Sequence, residues 1–362
     1  MLLFLAFLLH STMAKSNILA ESPSMLPKML LFGTLVMASV ATTAGSKIGV
    51  CYGTKGDNLP PAQEVISMFD QYGIQKIRLY DPYQGALQAL RGSNIEVMLG
   101  IENDRLQYIS SSQDEANSWV QSNVVSYGNV NFKYIVVGNE IDPTGPQASF
   151  VAPAMENIQK AITAENLAGK IKVSTAISTA VLEEHSYPPS KGSFRNDHLP
   201  FLNPILAFLA RNQSPLLVHI YPYFTYIQNR QINIEYALFT SPSPVVHDGQ
   251  LGYQNLFDAT LDTVYSALER AGSGSVSIVV SESGWPSAGG DGEITTMANA
   301  RIYNSNLINH VKSNGTPKKP GSPIEAYIFA MFNENQKPGT ETERHWGLFY
   351  PTKQPKYPIA FN

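Results

Sequence analysis

Residues 276–286 read Val-Ser-Ile-Val-Val-Ser-Glu-Ser-Gly-Trp-Pro, and the reading of this stretch decides the fold. Its first half is β-branched and apolar, the pattern of a strand buried on both faces. The run ends on a carboxylate, Glu282, and Gly284 and Pro286 then break the backbone. A charge at the tip of an apolar strand costs free energy unless it is paired, hydrogen-bonded or put to use. A second stretch has the same form: Phe132-Lys133-Tyr134-Ile135-Val136-Val137-Gly138-Asn139-Glu140, closed by Asp142-Pro143. Two apolar strands that each deliver a glutamate predict two carboxylates meeting in one cleft.

Outward from these two strands, the chain alternates. The strand pattern falls on 48–53, 76–81, 95–101, 132–140, 171–177, 215–223, 276–282 and 325–333. Helix-like stretches lie between them at 61–72, 83–91, 114–127, 147–168, 198–212, 253–271 and 296–313. The clearest carries Leu256, Phe257, Thr260, Leu261, Val264 and Leu268 on one stripe, with Gly272 as its stop. Eight such βα units predict a single α/β domain over residues 47–362, a closed (β/α)8 barrel of parallel strands with its active site at the C-terminal face. An open doubly wound sheet is the alternative, but no Gly-rich phosphate turn follows the first strand. The longest irregular stretches, 185–196 and 225–252, both follow strands and belong on the C-terminal rim.

Composition excludes other classes. Hydrophobic residues make up 43% of the chain and charged ones 15%, which excludes a disordered chain. A net charge of −4 supplies no basic footprint, so nucleic acid is not an expected partner. The single cysteine, Cys51, sits in an apolar run, reads as a buried thiol and permits no internal disulfide. The histidines form no His-Glu-x-x-His cluster and Gly-x-Ser-x-Gly is absent, so neither a protein-bound metal nor a serine nucleophile is expected. Asn212-Gln213-Ser214 and Asn314-Gly315-Thr316 are glycosylation sequons, each followed by proline.

The N-terminus carries two apolar runs, 2–9 and 29–37. The second follows Lys28 and leads into small residues, the layout of a secretory signal cleaved between Ala41 and Ser46. Residues 1–46 are therefore expected to be an extension plus signal that is removed. Either translation starts at Met25 or the first 24 residues are an upstream extension. Neither run reaches the roughly 18 apolar residues of a membrane span, so no membrane anchor is expected.

On a barrel, polar residues at the C-terminal ends of strands are the catalytic candidates. Those ends read Tyr52, Arg78-Leu79-Tyr80-Asp81, Glu102, Asn139-Glu140, Ser178, His219 to Phe224, Glu282, and Phe332-Asn333-Glu334. Carboxylates, an asparagine and tyrosines with few cations suit a neutral polyhydroxylated ligand. Two carboxylates across a glycosidic bond divide the labour: one protonates the leaving oxygen, the other attacks the anomeric carbon. His219 reads more readily as a satisfied rim histidine than as a general base. Lys337 lies close enough in sequence to be an ion partner for Glu334.

At these residues the chain resembles the plant β-1,3-glucanases of glycoside hydrolase family 17. The resemblance runs from Ile48-Gly49-Val50-Cys51-Tyr52-Gly53 to Gly347-Leu348-Phe349-Tyr350-Pro351. Its most specific pieces are Val137–Glu140, Val280–Pro286 and Phe332-Asn333-Glu334-Asn335-Gln336-Lys337, joined by Arg78–Pro82. The resemblance implies a (β/α)8 barrel with Glu140 as general acid/base on strand four and Glu282 as nucleophile on strand seven. It implies a supporting cluster of Glu334, Lys337 and Glu343. Tyr80, Tyr221, Phe224, Trp285 and Phe332 are implied as the sugar groove, with Asn139 beside the acid.

The expected activity is endo-hydrolysis of β-1,3-glucan with net retention, by a monomer that uses no cofactor and no metal. A mixed-linkage β-1,3-1,4-glucan hydrolase, a transglycosylase and a non-catalytic glucan-binding protein are the alternatives. The chain stops soon after Pro358, without the C-terminal extension of vacuolar members. That favours secretion to the extracellular space and cell wall over the vacuole.

Overall fold

A computed structural model of the protein describes residues 48–312 and 315–361. The secretory signal and extension expected within residues 1–46, and Asn314 of the second sequon, lie outside the described residues. Eight parallel strands close into a barrel: β1 Ile48–Tyr52, β2 Lys76–Leu79, β3 Glu96–Ile101, β4 Asn131–Asn139, β5 Lys172–Ser178, β6 Leu216–His219, β7 Ile278–Ser283 and β8 Ala326–Ile328. Pairing follows chain order around the ring, and β8 closes onto β1 with Ile48 opposite Ala326 and Val50 opposite Ile328. Every residue of β1 and β7 is buried. That is why these strands read as continuous apolar runs rather than alternating ones.

All eight expected strands are present, and the sixth and eighth fall furthest short of the length the sequence suggested. The sixth stops at His219 because Pro222 opens a helix, Pro222–Gln228; proline lacks an N–H to donate and its φ is preset for a first helical turn. The eighth stops at Ile328 because the next residues change partner one by one. Phe329 N donates to Ser283 O on β7, Ala330 N to Trp346 O, and Met331 N to Cys51 O on β1. No single neighbour continues the ladder.

The outer helices follow local signals. Helix Leu256–Arg270 starts three residues later than the stripe suggested, because the Asn255 side chain accepts from Asp258 N at 2.7 Å and caps it. Leu251–Tyr253, just upstream, instead pairs with Val246–Asp248 as a small antiparallel hairpin. That hairpin and the helical turn Ile234–Ala237 structure much of the stretch read as irregular. At the N-terminal end of the barrel, Lys76, Glu96, Lys133 and Glu325 form one ion cluster. Lys133 Nζ lies 2.9 Å from Glu325 and 3.1 Å from Glu96, and Lys76 pairs with both carboxylates. No helix among the described residues is long and apolar enough to cross a membrane. Asn212 of the first sequon donates to Phe208 O at a helix end, and Ser214 is buried.

Candidate active site

The last residues of β4 and β7 carry the two glutamates to the same mouth of the barrel. Gly138 and Glu140 both have positive φ, +80° and +49°. Glycine adopts this region freely, whereas for glutamate it costs roughly 1–2 kcal/mol, a strain typical of functional positions. The turn is held by Glu140 N donating to Ala176 O on β5 at 2.9 Å. On the other side, Glu282 stands in register with His219 across the β6–β7 pair, at an irregularity in the ladder.

Glu282 is buried and surrounded by donors. Arg78 Nη1 donates to Oε1 at 2.9 Å, the Tyr80 hydroxyl to the same oxygen at 2.6 Å, and the Tyr221 hydroxyl to Oε2 at 2.7 Å. Burial pushes its carboxyl pKa up, but His219, Arg78 and the two hydroxyls outweigh burial and hold it below the usual value. The two tyrosines are pushed far the other way by burial and by nearby anionic groups, Glu282 among them, so both remain donors. The result is an ionised carboxylate, pre-oriented and dry.

Arg78 ties the cluster together. Its guanidinium also reaches Ser281 O at 2.9 Å, His219 Nε2 at 2.8 Å and the side-chain oxygen of Asn139. A guanidinium has only donors, so His219 Nε2 accepts and the ring proton sits on Nδ1. That nitrogen lies 2.7 Å from Glu140 Oε1 and 3.4 Å from Glu282 Oε2. The two carboxylate oxygens therefore cannot be farther apart than the total of these two lengths. The bound concerns this one oxygen pair and seats the two carboxyls side by side at the mouth of the barrel. The side chain of Glu140 is 44% exposed, against 10% for Glu282.

Both glutamates open into a cleft of about 770 Å³. Tyr221, Phe224, Phe329 and Trp346 make an aromatic wall, with Trp346 edge-on to Tyr221 at 5.1 Å between ring centroids. Lys55, Asp81, Glu334, Lys337 and Glu343 also line the cleft. Glu334 is buried, accepts from Lys55 N at 2.8 Å, and is raised in pKa chiefly by that burial. Among the described residues no group of three or more His, Cys, Asp or Glu side chains is placed to hold a metal. Acidic and hydroxyl groups beside aromatic faces fit a sugar chain rather than a phosphate.

The profile of Glycosyl hydrolases family 17 matches residues 48–361. The chain belongs to glycosyl hydrolase family 17. It is 54% identical over 339 residues to a glucan endo-1,3-beta-glucosidase of Vitis vinifera, spanning 92% of this chain and 97% of that protein. It is 55% identical over 337 residues to a basic vacuolar glucan endo-1,3-beta-glucosidase of Nicotiana tabacum, spanning 91% of this chain and 90% of that one. Among solved structures it superposes with a TM-score of 0.84 on a β-1,3-glucanase and pollen allergen of Cryptomeria japonica. That structure is 48% identical, with 87% of this chain and 99% of that one covered. A plant β-glucan endohydrolase, from a pair with distinct substrate specificities, superposes with a TM-score of 0.82 at 50% identity; 86% of this chain and 100% of that one are covered.

Against this family background, most of the expected site residues share the cleft: Tyr80, Asn139, Glu140, Tyr221, Phe224, Glu282, Glu334, Lys337 and Glu343 all line it. Trp285 and Phe332 do not. Trp285 is fully buried behind the wall, its Nε1 donating to Ile294 O at 2.9 Å among Tyr223, Tyr226 and Tyr303. Phe332 is buried between Tyr52 and Phe349. The reason for Phe332 is the early end of β8, after which strand alternation no longer says which side a residue faces. Phe329 and Trp346 occupy the groove instead. Lys337 pairs with Glu343 at 3.3 Å and sits 3.9 Å over the Phe329 ring, so its ion partner is Glu343 rather than Glu334.

Two residues at the centre of this network had been assigned no part in it. Arg78 stood among the strand-end candidates and in the Arg78–Pro82 run without a role of its own. His219 carried no signal beyond its strand-end position.

Proposed function

We propose that the chain hydrolyses internal β-1,3-glucosidic bonds with retention, Glu282 acting as nucleophile and Glu140 as acid and then base. Three donors to a buried Glu282, with His219 between it and Glu140, are the observation that supports this reading. In the first step Glu140 gives its proton to the leaving glycosidic oxygen while Glu282 attacks the anomeric carbon, forming a glycosyl ester. In the second, Glu140, now ionised, takes a proton from water, which attacks the same carbon and frees Glu282. Tyr80 and Tyr221 hold the nucleophile, and the half-exposed Glu140 has room for the incoming water. Asn139 has its oxygen committed to Arg78, leaving its amide N–H groups for the sugar beside the acid. Glu334, Lys337 and Glu343 line the same cleft, with Glu334 seated against Gly53.

Linkage specificity is supported by the relatives' names, which specify 1,3-β-glucosidic cleavage. A mixed-linkage specificity is the second reading, since one structural neighbour comes from a pair that differ in specificity. The test is product profiling on linear β-1,3-glucan and on mixed-linkage glucan, with the anomer of the first product read by NMR. Release of β-anomeric oligosaccharides from the linear chain is expected. Cleavage of the mixed-linkage polymer alone, or an α-anomer, overturns the assignment.

The substrate is a wall or callose-type glucan, and the role is turnover or defence. The protein acts as a monomer, because one chain's own loops complete the cleft. Export is supported by the signal-like segment before Ser46, while relatives named vacuolar isoforms supply the competing destination. Sequencing the N-terminus of protein recovered from wall and vacuolar fractions separates the two.

A further inference from the structure

We infer that His219 is a positioning residue that assigns the two oxygens of Glu140, leaving Oε2 as the one that carries the catalytic proton. The inference rests on the acid/base role proposed for Glu140 and adds a residue that the sequence gave no role. His219 is 1% exposed, so no water replaces its contacts. Its Nε2 is occupied by the Arg78 donor at 2.8 Å, which leaves the proton on Nδ1. Nδ1–H then donates to Glu140 Oε1 at 2.7 Å. The groups facing the ring are Arg78 from β2, Glu140 from the end of β4 and Glu282 from β7.

A proton on Oε1 would point at the Nδ1–H, a donor against a donor. The acid form of Glu140 therefore keeps its proton on Oε2. Among the described residues His219 supplies the only side-chain hydrogen bond to this carboxyl. The rest of Glu140 reaches into the cleft from a strained turn, so without His219 nothing fixes its rotation. The same hydrogen bond survives in the base form, so the ring serves both half-reactions from one position.

The consequence depends on the leaving group. A sugar leaving group needs full proton assistance, worth about 10²–10⁴-fold, whereas a dinitrophenolate needs almost none. His219→Leu is therefore expected to lose about 100-fold in kcat/KM on a β-1,3-gluco-oligosaccharide but less than about threefold on dinitrophenyl β-laminaribioside. His219→Asn places an N–H at the Nδ1 position and is expected to recover at least about tenfold of the loss; His219→Gln, whose amide reaches one bond farther, is not. A structural role alone would disturb Glu282 and lower both substrates together. Equal losses on the two substrates, no loss on either, or equal rescue by Asn and Gln overturn the inference.

Glu140→Gln is the control. If it shows the leaving-group dependence and His219→Leu does not, only the role of His219 fails. If Glu140→Gln itself lacks the dependence, the acid assignment fails and the inference goes with it. Should His219→Leu not fold, the Asn and Gln variants compared on the two substrates decide the question by the same criterion.

Discussion

The barrel has a polar layer at each end, built from much the same parts, and the two behave oppositely. At the N-terminal end Lys76 and Lys133 face Glu96 and Glu325, with Tyr134 and Tyr327 donating to Glu325 at 3.2 and 3.1 Å. Charges there cancel, and each carboxylate has an ammonium partner. At the C-terminal end Arg78 serves Glu282, while among the described residues no guanidinium or ammonium contacts the Glu140 or Glu334 carboxyl at ion-pair distance. The difference is one of completion. A closed cluster stabilises its end of the barrel, and an incomplete one keeps an oxygen for a substrate.

The strongest way to break this contrast is to remove one carboxylate from each end. Glu282→Gln is expected to lower turnover on linear β-1,3-glucan by at least about 10⁴-fold, because an amide cannot form the glycosyl ester. Its melting temperature should change little, since the Gln carbonyl still accepts from Arg78 and Tyr80. Glu325→Gln should do the reverse. It removes a carboxylate shared by the buried Lys76 and the partly buried Lys133 and is expected to cost about 3 kcal/mol in urea denaturation, with kcat per folded molecule unchanged. If Glu282→Gln destabilises the fold more than Glu325→Gln does, the division between the two ends is wrong.

Acid sharpens the same contrast. Burial raises the pKa of Glu325, but Lys76 and Lys133 overcome it and hold the carboxyl below its ordinary 4.5. A lowered carboxylate pKa adds stability that is present above the unfolded-state value and lost as pH falls through the folded one. The stability gap between wild type and Glu325→Gln is therefore expected to close as pH drops below 4.5. A gap that stays constant into acid would mean that the lysines contribute nothing to the site.

The two ends were also unequally legible. Strand order and the two glutamates that share the cleft could be read from the sequence, because a β-branched run ending in a carboxylate before a glycine or proline is a local pattern. Pairings that cross the barrel are not local. Nothing near Arg78 in sequence announces Glu282, and nothing near Lys133 announces Glu325. The groove aromatics were harder to read. Tyr221, Phe224 and Phe332 all follow strands that stop early, yet the first two line the cleft while Phe332 turns into the core beside Tyr52 and Phe349. Trp285 lies just past the nucleophile, and only the packing of Tyr223, Tyr226 and Tyr303 around it reveals that it faces inward.

A smaller perturbation tests how much the catalytic end depends on close packing. A methyl group on Gly53 would lie 2.3 Å from Glu334 Oε1, so Gly53→Ala must displace that carboxylate. Loss of about tenfold in kcat with the fold intact is expected, as positioning effects of an ångström or so reach this size. Unchanged kcat would show that Glu334 stands outside the working set and would shrink the catalytic end to the residues around Glu282 and Glu140.

A last perturbation concerns Lys356, which backs this end of the barrel without a carboxylate of its own. Its Nζ donates to Asn333 Oδ1 at 2.9 Å, to His345 O at 3.3 Å and to the Ser287 hydroxyl, clamping the chain after β7 to the loops after β8. Burial lowers its pKa from 10.5 to about 8. Below pH 8 the lysine is charged in both folded and unfolded chains, and the cost of burying that charge is fully present. Between about 8 and 10.5 the unfolded chain binds the extra proton, so the cost is relieved as pH rises. The stability of wild type relative to Lys356→Met is therefore expected to climb by about 3 kcal/mol across that window in urea denaturation. A flat difference would mean that the ammonium finds an anionic partner, and then both ends of the barrel, not one, would be charge-complete.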